Sequence, residues 1–187
     1  MRSLLLALAV ALLVLGCETN DRIKPNDWEA EGTVSLGHTG NDFTDTNAIE
    51  ANALLNLAIT SGFMIGPLLI FEATDQDLSD GTDVDTISYM FAPNFRFNLP
   101  GSETVIPYID LAAGTAYVDL DTRLVDRPHS HESASGLFLQ GGVGVRFFVS
   151  EHAAINLAAR YRYLFISNRV GGDTDTYGLV GGLSIFF

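Results

Sequence analysis

The stretch RYRYLFISN, Arg160 to Asn168, sets two arginines in an apolar and aromatic run and closes it on Ser167 and Asn168. A serine hydroxyl is nucleophilic near neutral pH only beside a base that takes its proton, so Ser167 is a catalytic candidate that still needs a partner. DRPHSHES supplies His129, His131, Glu132 and Ser133. A His-x-His pair on one side of an extended strand has the ligand types for zinc, but a loop gives it no fixed third ligand, and a solvated loop is the reading adopted. DQDLSDGTDVD gathers Asp75, Asp77, Asp80, Asp83 and Asp85. Calcium favours several such oxygens, yet their spacing is not that of the Asp-x-Asp-x-Asp-Gly loop. This stretch and GGDTDT read as solvated acidic loops that meet the divalent cations bridging lipopolysaccharide. No metal site and no cofactor is expected.

The elements that carry these residues have a period of two. In SGLFLQGGVGVRFFV, Leu137, Leu139, Val143, Val145, Phe147 and Val149 share one parity, while Gln140, Gly142, Gly144 and Arg146 share the other. AAINLAARYRYLFIS, TISYMFAPNFRFNL and AIEANALLNLAI repeat the pattern. Alternation of this kind marks strands with one apolar and one polar or small face. Turn residues divide the chain into eight strands at about 28–38, 47–60, 63–74, 85–98, 105–120, 135–149, 153–167 and 176–187.

The connections alternate in kind. TSG, LPGSET and SEH are tight, whereas TGNDFTDTN, DQDLSDGTDVD, DTRLVDRPHSHES and NRVGGDTD are long and polar. Short turns at one end and long loops at the other, on an even number of strands, are the pattern of a transmembrane β-barrel. The expected fold is therefore all-β, an eight-stranded antiparallel up-and-down barrel of the outer membrane, with both termini periplasmic and the long loops extracellular. Two checks use the same parity. Outward aromatics form girdles at both interfaces: Trp28, Phe63, Phe95, Phe97, Phe147 and Phe187 at the short turns, and Phe71, Tyr89, Tyr117, Tyr163, Phe165 and Tyr177 at the long loops. Inward parity sets Glu29, Glu31, Glu50, Glu72 and Asp110 against Arg96, Arg146, Arg160 and Arg162. Eight strands leave an interior only wide enough for side chains, so these groups are expected to pair with one another and leave no open pore. A soluble lipocalin-like barrel, with its apolar face inward, is disfavoured by the girdles and the loop asymmetry.

Composition limits the partners. With 10 basic against 23 acidic residues, the chain lacks the excess of Lys and Arg that neutralises phosphates, which argues against nucleic acid. The N-terminus, MRSLLLALAVALLVLGC, has Arg2 followed by an apolar run from Leu4 to Leu15, too short to span a bilayer as a helix, and reads as a secretory signal over residues 1–16. Val14 to Cys17 resembles the bacterial lipobox, which implies lipidation of Cys17, the single cysteine. Residues 17–27 would then be a periplasmic linker and residues 28–187 the barrel. The C-terminus, GLVGGLSIFF, with outward Leu183, Ile185 and a terminal Phe187, resembles the signal by which the barrel insertion machinery recognises its substrates; Val180 departs from the usual polar or aromatic opening residue.

From about Val105 onward the chain resembles the lipid A 3-O-deacylase (acyloxyacyl hydrolase-like) barrel family, through VIPYIDLAAGTAYVDLD, GLFLQGGVGVRFFVS and AARYRYLFISN. The family's strand reads Tyr-Arg-Tyr and then His-x-Ser-Asn, with a Glu on the last strand completing a triad. The resemblance implies Ser167 as the nucleophile equivalent but sets Phe165 at the histidine, and no Glu follows Glu151. Asp173 and Asp175, read as part of the last long loop, could supply an acid only by rearrangement. The broader OmpA-like barrels share the PY…G.G and G.GVR patterns. The reading adopted is a structural or surface-interaction barrel in contact with outer-membrane lipid and lipopolysaccharide. Deacylation of lipopolysaccharide is the alternative, and a pore is a third class.

Overall fold

The alternating stretches form eight strands in the computed structural model, which describes residues 22–40, 44–78, 82–123, 130–166 and 174–187. These are β1 (Trp28–Gly40), β2 (Thr44–Thr60), β3 (Phe63–Leu78), β4 (Asp83–Asn98), β5 (Val105–Arg123), β6 (Ser130–Phe148), β7 (Ala153–Ile166) and β8 (Thr174–Phe186). They pair in chain order, all antiparallel, and β8 returns to β1 to close the barrel. Closure supplies every wall strand with neighbours, which a bilayer without backbone partners demands. At the short-turn end Trp28 and Phe187 exchange backbone hydrogen bonds of 2.9 and 3.0 Å.

Parity decides facing. Along β7, Ala154, Asn156, Ala158, Arg160 and Arg162 are buried while Ile155, Leu157, Ala159 and Tyr161 are exposed. Of the twelve girdle residues, Trp28, Phe71, Tyr89, Tyr117, Phe147, Phe165, Tyr177 and Phe187 are exposed, and Phe63, Phe95, Phe97 and Tyr163 are half-buried, so the outer surface carries an apolar band. A charge in the middle of that band has no partner. Val143→Arg is expected to lower stability by about 2–4 kcal/mol, read as a shifted midpoint in urea titrations of the liposome-folded barrel; an unshifted midpoint would contradict a lipid-facing Val143.

The interior is layered. At the short-turn end Ile23, Ala58, Met64, Ile106, Phe148, Ala154 and Phe186 form an apolar plug. Ile23 comes from the segment before β1. That segment folds against the barrel mouth through Asn26 N to Ala58 O and Ala58 N to Asp27 O, each at 2.8 Å, with Asn26 at φ 73°, a conformation Asn tolerates better than most residues. Above the plug lies a charged layer, then an apolar cluster of Leu54, Leu68, Ile70, Met90, Ala92, Ala112, Ala116 and Phe138, then a second charged layer.

The strands are longer at the long-loop end than alternation implies. β3 runs to Leu78, β5 to Arg123, β6 begins at Ser130 and β8 at Thr174. His131, Glu132 and Ser133 therefore lie in β6, Asp75 and Asp77 in β3, Asp83 and Asp85 in β4, and Asp175 in β8, not in loops. The reason is that ladder hydrogen bonds belong to the backbone: where both faces meet water, a strand continues with no apolar parity to announce it.

One wall contact is shorter than the rest. β1 pairs with β2 along its whole length, but with β8 only from Glu29↔Phe186 to Val34↔Gly181. Gly182 permits the close approach there, since a Cβ at that position would lie 2.5 Å from the Gly32 carbonyl oxygen and 3.0 Å from Thr33 Cα.

Candidate functional site: the charged interior and the outer rim

The lower charged layer is organised by Arg96 on β4. Its Nε and Nη2 donate to the two oxygens of Asp110 at 2.7 and 2.9 Å, and its Nη1 donates to Glu29 at 2.9 Å and to Glu31 at 2.6 Å. A planar guanidinium suits this use because its donors leave in fixed directions. Arg146 on β6 donates through Nη2 to Glu29 and through Nη1 to Asn98 Oδ1 at 3.3 Å. The remaining carboxylate lone pairs accept from neutral side chains: Ser184 Oγ to Glu29 at 2.6 Å and Asn156 Nδ2 to Glu31 at 2.9 Å. Arg96, Arg146 and Glu29 are each 0% exposed, and ions so far from water are tolerable only when paired and hydrogen-bonded in this way.

The Tyr108 ring completes the layer. The Arg96 Cζ lies 4.3 Å and the Arg146 Cζ 5.5 Å from its centroid, within the range where a cation is attracted to a ring face. Tyr108 fits because Gly144 opposes it in register. A Cβ on Gly144 would come within 2.6 Å of the tyrosine hydroxyl and closer still to the ring.

The upper layer joins Arg162 to Glu72 and Glu50, each at 2.7 Å, and to Gln140 Oε1 at 3.1 Å. Arg160 is held more loosely, by Thr33 Oγ1 at 3.2 Å and Glu31 at 3.5 Å, with Glu50 at 4.0 Å; its Nε is buried without a hydrogen-bond partner. Asn52 Nδ2 bridges Thr33 and Glu50 at 2.8 and 2.7 Å, so the two layers form one polar spine along β1, β2 and β7. All nine charged residues assigned inward by parity thus meet in this network. Tyr108, Thr33 and Ser184 also belong to it; their parity matches that of Asp110, Glu31 and Phe186, a signal the charged set alone does not carry.

Phe165 is exposed on the wall, with its ring 4.6 Å from that of Tyr163 in an edge-on contact, and Asp175 pairs across the ladder with Tyr163. Ser167, Asn168 and Asp173 lie outside the described residues, as do Asp80, His129, the signal segment and Cys17. His131 is largely exposed, its Nε2 3.6 Å from Asp119. Asp75, Asp85 and Asp121 align across β3, β4 and β5. Among the described residues no group of three or more His, Cys, Asp or Glu is arranged to hold a metal ion. At the other end, Leu183, Ile185 and Phe187 all face outward and are exposed.

Comparison with known proteins agrees with this architecture. A family model described as outer membrane protein beta-barrel domain matches residues 7–187. Among solved structures, neisserial surface protein A (NspA) is 14% identical over 88% of this chain and 98% of that one, with a TM-score of 0.60. Ail, the attachment invasion locus protein of Yersinia pestis, is 17% identical over 88% of this chain and 100% of that one, at 0.50. The outer membrane enzyme PagL is 15% identical over 83% of this chain and 97% of that one, at 0.47. No curated protein matches the chain.

Proposed function

Since the chain belongs to the outer membrane protein β-barrel family, and is therefore an integral barrel of the bacterial outer membrane, we propose that it serves as a closed structural and surface-interaction barrel. The observation that carries this reading is the filled interior: ion pairs and apolar clusters occupy the space a channel would need. What such a barrel offers to other molecules is its wall and its rim. The wall would contact lipid and lipopolysaccharide, and the rim would carry recognition, with the aligned Asp75, Asp85 and Asp121 facing a headgroup layer whose divalent cations screen them.

In this reading both chain ends are periplasmic and the long-loop end is extracellular. The pairing of Trp28 with Phe187, which brings both ends of the barrel to the short-turn side, supports it. Cys17 would carry lipid into the inner leaflet of the same membrane, and the exposed Leu183, Ile185 and Phe187 would be read by the insertion machinery. Deacylation gains no support from the wall at Phe165, where the resembling family needs a base, because an aromatic ring takes no proton.

Two measurements test the proposal. Purified protein in planar bilayers is expected to give no stepwise conductance; reproducible single-channel steps would make it a pore. Lipid A from cells with and without the protein is expected to have the same acyl composition by mass spectrometry. Loss of the 3-linked chain, abolished by Ser167→Ala, would establish the enzyme instead.

A further inference from the structure

We propose that the barrel wall has a lateral opening between β1 and β8 in its long-loop half, and that it takes one acyl chain of a membrane lipid with the ester end hydrogen-bonded to Arg160. The ladder between these strands stops at Val34↔Gly181, so the next positions in register, Ser35 with Val180 and Leu36 with Leu179, are unpaired among the described residues. A cavity of about 150 Å³ lies at this gap, lined by Leu36 and Leu179 from its two edges and by Glu50, Glu72, Arg160 and Arg162 within. Thr176 and Gly178 have inward parity, yet both are exposed, and a Cβ on Gly178 would meet nothing within 4 Å. The wall is open at this point.

Depth, charge and size choose the occupant. Arg160 is opposite Gly178, one residue from the paired Tyr161 and Tyr177, and Tyr177 belongs to the long-loop girdle. Aromatic girdles sit at the headgroup level, so Arg160 lies near the depth of lipid ester groups. Five carboxylates already face four guanidiniums inside, which disfavours an added anion and favours a neutral oxygen acceptor. Arg160 can supply the donor, since its Nη atoms are held only by long contacts, to Thr33 at 3.2 Å and Glu31 at 3.5 Å. A cavity of this size holds one small apolar group, enough for part of an alkyl chain and too little for a strand of a second copy. Leu36 and Leu179 give a chain apolar sides to lie against. The leaflet this chain belongs to follows from the orientation proposed above; the opening does not depend on it.

The test uses the full barrel with Trp28, its one tryptophan, replaced by phenylalanine. A reporter is introduced as Thr176→Trp in the opening or, for comparison, as Leu157→Trp on the lipid-facing wall. In phosphatidylcholine vesicles brominated on the acyl chains, the indole at position 176 is expected to be quenched about as strongly as the one at 157. Adding Gly178→Leu, which fills the cavity, is expected to remove quenching at 176 and leave it intact at 157. An unquenched indole at 176, or quenching there that Gly178→Leu does not diminish, overturns the proposal. If Thr176→Trp does not fold, Ser35→Trp reports from the opposite edge by the same criteria. A shielded reporter together with a dimer that Gly178→Leu disperses would assign the gap to a second copy and also overturn it. Bromine in both leaflets makes the result independent of orientation, so its failure is distinct from failure of the functional reading, which the conductance and lipid A measurements address.

Discussion

Arg96→Ala should cost the barrel more stability than any other single substitution, about 3–5 kcal/mol, the range for breaking a buried ion pair by removing one partner. The cost comes less from lost attraction than from what stays behind. Glu29, Glu31 and Asp110 each accept from Arg96, and without it the ion pairs left to them among the described residues are Arg146 with Glu29 and, at 3.5 Å, Arg160 with Glu31. Folded domains are typically stable by only about 5–15 kcal/mol, so the urea midpoint in liposomes should fall steeply and the fast-migrating folded band on unheated gels should be lost or weakened. Arg96→Lys should recover little of this, because one ammonium cannot span the fork to Asp110 while reaching Glu29 and Glu31. A midpoint for Arg96→Ala close to that of the unsubstituted protein would mean that the acids are neutralised some other way, and that the ionic interior is not what holds this half of the barrel.

Gly144→Val is expected to rank second, at or above the roughly 1–3 kcal/mol usual for overpacking. Overpacking is cheap where the neighbour swings aside. The Tyr108 ring has nowhere to go, since the Arg96 guanidinium is 4.3 Å and the Arg146 guanidinium 5.5 Å from its centre. Displacing the ring also displaces the two cations on which the acids depend. The double variant Gly144→Val with Tyr108→Ser returns volume to the site, so its loss should be smaller than the sum of the two single losses, a coupling that urea titration of all four proteins measures. Strict additivity would show that the ring and the glycine do not share the space.

Why some of this can be read from the sequence and some cannot follows from what alternation encodes. A period of two reports the face of a residue and nothing about its height or neighbours. It is enough to set Arg160 inside and Phe165 outside, because the charges and aromatics fall on opposite parities over many residues. It cannot show that Leu54, Leu68 and Phe138 form an apolar cluster between two charged layers, since inward leucines and inward arginines have the same parity. Nor can it find Ile23, buried from a segment with no alternation at all. His131 and Asp83 show the same limit at the strand ends, where polar residues continue a ladder that side chains do not mark. The early end of the β1 and β8 ladder is a property of two edges distant in sequence, visible only once they meet.

That distance matters for the order of assembly. Glu29 finds Arg96 67 residues away, Arg146 117 away and Ser184 155 away. Among the described residues, the hairpin of β1 with β2 offers it only Asn56 Nδ2, at 3.3 Å. While the sheet is still a growing arc, the first strand carries carboxylates whose partners have not arrived, so the arc must keep its concave side wet. The Ser184 hydrogen bond to Glu29 forms only when β8 meets β1. Long-range contacts of this kind make folding slow, and here they tie Glu29 on the first strand to Ser184 on the last.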